Sequence, residues 1–519
     1  MPNRPANALF QLIKSLKKSE KRNFKLYVTR NSSMEDLKII QLFDALDKME
    51  EYDEELLLKK NETIKKLQLS NLNASLYKQI LSSLRLIKDE GNIDLQLHEQ
   101  MDYARILFNK GLFIQSLQVL DKTKKFAHAH NQVTYLMQAL FFEKKIESLY
   151  ITRSIQDRAD QLIAEANVVT GRLATITHLS NLSLKLYGWY IKHGHARTEQ
   201  DDKEVEQLFN ESLPAGAMQS NSFYEKLYLY QSYCWYAFIR QDFLSYYRYT
   251  QKWVDLFEKE PTMIEVETTL YIKAMHNLMG AHFDLQNYEK LTETLLHFEK
   301  FSHSNLVIKN ENNLIQTFVY LNTSRLNKHF LEGTFTEGLK LVPEIEQKLT
   351  EYELYLDRHR VLIFYYKIAS LYFGSGDSSK AIDYLNKIIN WKVDLRTDLQ
   401  CYSRLLHLIA HYELGNFDLM EYLIKSVYRF MSKMENLSIV EEEMFAFLRR
   451  SFYLSAKDIK PELQKLLLKL KKHEHNRFET RAFLYLDVVS WLESKIENIP
   501  VQEVIQKKFK ERRKRTGKL

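Results

Sequence analysis

LIFYYKIASLYFGSGDSSKAIDYLNKIINW, residues 362–391, decides the fold. Its first half sets apolar residues at Leu362, Tyr365, Ile368, Ala369 and Tyr372, and its second half at Ala381, Leu385, Ile388 and Ile389. Both stripes follow the helical period, which gives each of two helices one face to bury. Between them Gly374-Ser-Gly376-Asp377 is a sharp turn, so the two faces fold together as a helical hairpin.

Working outward, similar corners stand at Gly111, Ser154, Gln241-Asp242, Gln286-Asn287, Gly333 and Gly415, with a longer and less regular one beginning at Gly194. Successive intervals run from 39 to 47 residues, the spacing of a helical-hairpin array. Three residues before the regular corners stand Phe108, Ile151, Phe238, Phe283, Phe330, Phe373 and Tyr412. Six of these seven are aromatic in a chain that is 13% aromatic, so the register repeats.

Composition agrees. With 13 Gly and 7 Pro in 519 residues, the chain has under 4% of the two together, against an average of about 12%. Sandwiches, propellers and doubly wound sheets need more frequent turns, so helices are expected throughout. At 45% apolar and 27% charged, the chain can bury a large core. Its longest stretches without Lys, Arg, Asp or Glu, 126–142 and 227–239, fall short of a membrane span. No secretory signal pattern opens the chain, and Cys234 and Cys401 alone make no disulfide framework. A reduced, cytoplasmic location is the expectation.

With Gly376 set at repeat position 15, Tyr365, Ile368, Ala369, Tyr372, Ala381, Leu385 and Ile388 fall at positions 4, 7, 8, 11, 20, 24 and 27. In this respect the segment resembles the tetratricopeptide repeat (TPR), and the resemblance extends over residues 96–435. Elsewhere the residues at positions 8 and 20 are often bulky, as in Cys234/Tyr246, Met279/Leu291 and Leu408/Met420, which pushes helix axes apart. The resemblance implies an α-solenoid that binds a peptide or helix along its concave face. The opening stretch 12–27 also resembles the start of uncharacterised bacterial helical-repeat proteins, which implies no activity.

The expected architecture is all-α, with about seven or eight TPR-like hairpins. An N-terminal helical domain occupies 1–95, the array 96–438, C-terminal capping helices 439–506 and a basic tail 507–519. Helices are expected at 7–18, 19–30, 34–49, 53–67 and 71–90, the last closed by Gly91. Others are expected at about 439–455, 461–473 and 477–496, followed by one entered at Pro500. That final helix carries Val501, Val504, Ile505 and Phe509 on one face, and the chain from Arg512 onward runs into solvent.

Enzyme signals are weak, and no catalytic, cofactor or metal residues are assigned. Gly374-Ser-Gly376 follows a helix, whereas a dinucleotide fingerprint follows a strand. His407 and His411 share a helix face but lack a local third ligand, and His193/His195 and His473/His475 diverge on a helix, so all read as packing histidines. The densest unusual stretch, 223–257, holds 14 aromatics. In the implied register the groove is lined there by Tyr228, Gln231, Trp235 and Phe238, continued by Phe108, Phe283, Phe330, Phe373 and Tyr412. These residues are the expected surface for a protein or peptide partner.

Charge suggests a second function. Lys507, Lys508, Lys510, Arg512, Arg513, Lys514, Arg515 and Lys518 stand against Glu511 alone, so 507–519 carries the whole formal charge of +7. Seven basic residues and one acidic lie between Lys14 and Arg30. Such runs make weak, nonspecific contacts with nucleic acid or an anionic surface. The alternative is therefore a nucleic-acid-associated regulator whose repeats sense a peptide. The preferred reading is a non-enzymatic scaffold or adaptor.

Overall fold

The computed structural model describes residues 5–29, 34–61, 63–87, 92–150, 157–391, 397–433, 438–451, 453–474, 476–479 and 487–515. It is all-α, with no strand among the described residues. No helix among them is long and apolar enough to cross a membrane. The expected positions Gly91, Ile151, Ser154, His475 and Lys518 lie outside the described residues, as does the side chain of Arg515.

The chain divides into two compact units, Met1–Gln96 and Leu97–Leu519. In the first, α1 (Pro5–Ser15), α2 (Lys18–Thr29), α3 (Met34–Lys48), α4 (Glu54–Lys60) and α5 (Lys66–Arg85) surround a core containing Leu9, Ile13, Phe24, Phe43, Leu76 and Ile80. The fourth helix is shorter than expected. Asn61 leaves helical geometry at φ −128° and ψ 74°, and its side chain donates to the Leu57 carbonyl, closing α4. The basic run of α2 is partly answered within the unit, with Lys21 on Asp47 and Lys25 on Asp44, both at 2.6 Å.

The second unit begins within α6 (Ile93–Asn109), followed by α7 (Phe113–Ala129), α8 (Val133–Leu149) and α9 (Arg158–His193). Next come α10 (Glu199–Ser212), α11 (Phe223–Ile239), α12 (Phe243–Lys259), α13 (Thr262–Val266), α14 (Thr268–Asp284) and α15 (Tyr288–Ser302). They lead to α16 (Asn305–Ile308), α17 (Glu311–Glu332), α18 (Phe335–Gly338), α19 (Val342–Glu351), α20 (Arg358–Gly374) and α21 (Ser378–Ile389). The last are α22 (Thr397–Glu413), α23 (Phe417–Lys433), α24 (Ile439–Ser451), α25 (Ala456–Lys471), α26 (Val488–Glu497) and α27 (Val501–Arg515).

One hydrogen-bond pattern recurs at five corners. The N–H groups of Gly111, Gln241, Gln286, Gly376 and Gly415 donate to the carbonyls of Phe108, Phe238, Phe283, Phe373 and Tyr412, at 2.9 to 3.3 Å. The following N–H in each case reaches back five residues, as from Asp242 to Ala237 and from Asp377 to Tyr372, both at 2.9 Å. This is the helix stop in which a left-handed residue satisfies the last free carbonyls. All five corner residues have positive φ, between 59° and 93° except for 54° at Gln286. Asp242, Asn287 and Asp377 then cap the next helix by accepting from Ser245, Lys290 and Lys380. Asn131, at φ 57°, turns α7 into α8 and was not marked as a corner in the sequence.

One departure from the expected regularity lies in α9. Between 158 and 193 a single 36-residue helix takes the place of two: no proline interrupts it, and Gly171 and Gly188 are tolerated inside it. Of the helix expected over 477–496, residues 480–486 lie outside the described residues, and α26 begins after Asp487, which accepts from Ser490 N at 2.9 Å.

The C-terminal helices do more than follow the end of the array. Lys495 and the Trp491 indole meet Glu413 at 2.5 and 2.6 Å. Gln502 accepts from Thr336, and Gln506 donates to the Gly333 carbonyl, all at 3.0 Å. Phe509 then packs edge-on against Tyr288 at 4.9 Å. The segment 491–513 thus visits the corners in reverse order, Glu413, then Gly333, then Tyr288, as a strap along the corner edge. The expectation that Arg512 onward runs into solvent is corrected here. The helix continues to Arg515, with Arg512 hydrogen-bonded to Gln286 and Arg513 paired with Glu289 at 3.4 Å. The Arg513 side chain lies over the rings of Phe509 and Tyr288, which helps keep the last turns docked.

Candidate functional site

The aromatic residues singled out in the sequence are engaged with one another. Trp235 packs against Tyr187, Tyr190 and Phe238, with centroids 5.3, 5.4 and 6.0 Å away. Phe238 also touches His195 at 4.6 Å and Tyr246 at 5.1 Å. Phe108 packs on Phe113 and Phe142, and Tyr412 on Phe417, Phe447 and Trp491. Phe373 is buried, whereas Tyr228, Gln231, Phe283 and Phe330 are half-buried. Phe108, Phe238, Phe283, Phe373 and Tyr412 share one structural position because each lends its carbonyl to a corner, whereas at Gly333 the acceptor is His329 in place of Phe330.

The same register leads to a different set of residues one hairpin further on. Positions 2 and 5 of α14 are Lys273 and His276, and positions 2 and 9 of α17 are Tyr320 and Asn327. Helices α14, α17 and α20 pack successively, and Arg360 and Lys367 join the cluster from α20. The His276 ring stacks on Tyr320 at 3.9 Å and 10°. The Arg360 guanidinium lies over Tyr320 at 5.7 Å and pairs with the exposed Asp357 at 3.2 Å. Lys367 Nζ donates to Asn327 Oδ1 at 2.5 Å and sits over Phe330 and Phe283 at 5.2 and 5.8 Å.

Charge in this cluster is poorly answered. Lys273 makes no ion pair or hydrogen bond among the described residues, and His276 Nδ1 is buried without a hydrogen-bond partner. Burial, followed by the charges of Arg360, Lys273 and Lys367, lowers the His276 pKa to about 3. Burial lowers Lys367 to about 8, opposed by Asp284. Lys273 is lowered by burial and by Arg360. Lys273, His276, Arg360 and Lys367 are each half-buried as residues, while the His276 Nδ1 atom itself is enclosed, so the cluster is largely desolvated.

The sequence reading reached these helices but followed their aromatics. Lys273 and Lys367 look like ordinary lysines in a chain with 74 basic residues. Applying the groove positions to the hairpin of α14 and α15 would have found Lys273 and His276.

Other groups offer less chemistry. Burial raises the Cys234 thiol well above its usual range, which disfavours the nucleophilic thiolate. His407 and His411 face each other with Nε2 atoms 3.3 Å apart, and Asn416 lies 3.0 Å from His411 Nδ1. Among the described residues no group of three or more His, Cys, Asp or Glu is placed to hold a metal. In the basic C-terminal run, Lys508 pairs with Glu493 at 2.6 Å and Lys507 with Glu497 at 3.8 Å. Lys510 and Lys514 are exposed.

Buried neutral histidines give a signed pH prediction. Burial lowers His407 and His282 to about 4, from an ordinary value of 6.5, as it lowers His276 further. The unfolded chain therefore binds more protons below pH 6.5. Their stabilising contribution is complete above that pH and is lost as pH falls towards 4. Urea unfolding at pH 5 is expected to show lower stability than at pH 7, with His407→Gln reducing the difference by roughly 1 to 2 kcal/mol. An unchanged difference in the variant would remove His407 from the account.

No family model matches the chain, and no curated protein matches it either.

Proposed function

We propose that the second unit is a TPR-like α-solenoid acting as a non-enzymatic scaffold, which binds a protein segment along the face shared by the first helices of its hairpins. The observation that carries this reading is the cluster on α14, α17 and α20, where half-buried cations and polar groups from three successively packed helices come together. Stacked hairpins use such faces as extended binding surfaces. Partner recognition then depends on polar groups set between packed rings, with the rings of 223–257 supplying rigidity. A cytoplasmic location goes with this reading.

Site-specific photo-cross-linking tests it. A cross-linking residue at Gln231 or Ser370, both half-buried on the first helices, is expected to capture the same native partner. One at Leu296, 61% exposed on α15, is expected to capture none of it. Equal capture from all three positions would refute a binding face confined to the first helices.

A further inference from the structure

We propose that Lys273, His276, Arg360 and Lys367 form a binding site for one oxyanion, a carboxylate or a phosphate, presented by an acidic protein segment. This rests on the scaffold reading and narrows it to a chemical group. At two other places in the unit, a cation turned inward meets a carboxylate from a neighbouring helix: Lys124 meets Glu143 at 2.8 Å, and Arg240 meets Asp202 at 2.6 Å. Around His276 that pattern fails. Asp357 answers Arg360 from an exposed position and Asp284 lies near Lys367, yet Lys273 has no acidic partner among the described residues.

The donors that remain suit an anion with two or more acceptor oxygens. An ammonium group carries three N–H donors, of which Asn327 takes one at Lys367 and none is taken at Lys273. A guanidinium offers further N–H groups beside the single contact to Asp357. His276 is fixed by its stack on Tyr320, and its Nδ1 is buried and unpartnered. An incoming negative charge nearby favours protonation of this ring and is met by its positive charge. The groups facing His276 are Lys273 on its own helix, Tyr320 on α17, and Arg360 and Lys367 on α20, with Cys234 beyond Lys273 and Asp284 beyond Lys367.

The cluster favours a peptide over a nucleic acid. Base stacking needs open aromatic faces, but Tyr320 already meets His276 and Arg360, while Phe283 and Phe330 meet Lys367.

The test uses the full chain and inorganic phosphate as the first probe. All five tryptophans, at 189, 235, 253, 391 and 491, lie in the second unit, so their fluorescence reports its melting. Wild type is expected to melt on the order of 2 °C higher in sodium phosphate than in sodium chloride of matched ionic strength. Lys273→Met is expected to melt above wild type in chloride, because it removes an unpaired cation, and to lose the phosphate increment. Arg360→Gln should lose the increment as well, and Lys510→Met should keep it. Absence of the increment in wild type, or its survival in both Lys273→Met and Arg360→Gln, would overturn the site.

A second arm separates the sources of the anion. Anisotropy titrations would compare a Glu-rich peptide with its phosphoserine counterpart. Binding of either that weakens at least tenfold in Lys273→Met supports the proposal and identifies the group. Binding of single-stranded DNA with none of either peptide overturns it. Failed cross-linking with an intact phosphate increment would sink the scaffold reading and leave the anion site standing, and the reverse result would do the opposite.

Discussion

Gly333→Ala is expected to destabilise the second unit by about 3 kcal/mol, against about 1 kcal/mol for Gly376→Ala. Both glycines have positive φ, 71° and 93°, so each variant carries the cost of placing a side chain in left-handed backbone. They differ in their surroundings. A Cβ at Gly376 would meet nothing within 4 Å, whereas one at Gly333 would lie 2.8 Å from Gln506 N and 3.0 Å from Gln502 O. Both of those atoms belong to the backbone of α27, which cannot yield without leaving its seat. The excess cost of Gly333→Ala therefore measures how firmly the strap is docked. Urea unfolding followed by tryptophan fluorescence reads it directly. Equal costs for the two variants would mean that the strap contributes little, and deleting 501–519 should reduce the Gly333→Ala cost to that of Gly376→Ala.

Glu143→Gln is expected to cost about 3 kcal/mol or more. Glu143 is fully buried, pairs with Lys124 at 2.8 Å and is hydrogen-bonded to Arg158. It thereby ties α7, α8 and α9 together at the start of the second unit. Removing its charge leaves two cations facing an amide in a site of low polarisability, with Glu165 still 2.9 Å from Lys124 as partial compensation. The same fluorescence titration tests this, and a loss below about 1 kcal/mol would show the group to be better solvated than its burial implies.

Sequence and structure agree most closely where the chemistry is local. The corners at Gly111, Gln241, Gln286, Gly376 and Gly415 were legible because a left-handed residue and an adjacent capping group need only their own neighbours. The aromatic residue three positions earlier was legible for the same reason, since it belongs to the same turn. Helical register places Trp235 and Phe238 along the expected groove, and their rings pack against α9 and α12. Helical spacing shows that a face is apolar without showing what meets it.

The candidate site was legible by half. The groove register, applied to α14, reaches Lys273 and His276, but the feature that singles them out is a missing counter-charge, and absence of a partner leaves no mark on a linear chain. Lys124 and Lys273 look alike in sequence, yet Glu143 meets the first and no acid among the described residues meets the second.

By itself the sequence determined the helices, their corners and the spacing at which they recur, because these follow from backbone conformation and a period of a few residues. Tertiary structure decided where α27 docks, why Gly333 must lack a side chain, and which cations go unanswered. Gln506 and Gly333 are 173 residues apart, and no local propensity encodes a meeting over that distance. Such contacts arise only when packing of the intervening helices brings the two segments to one place.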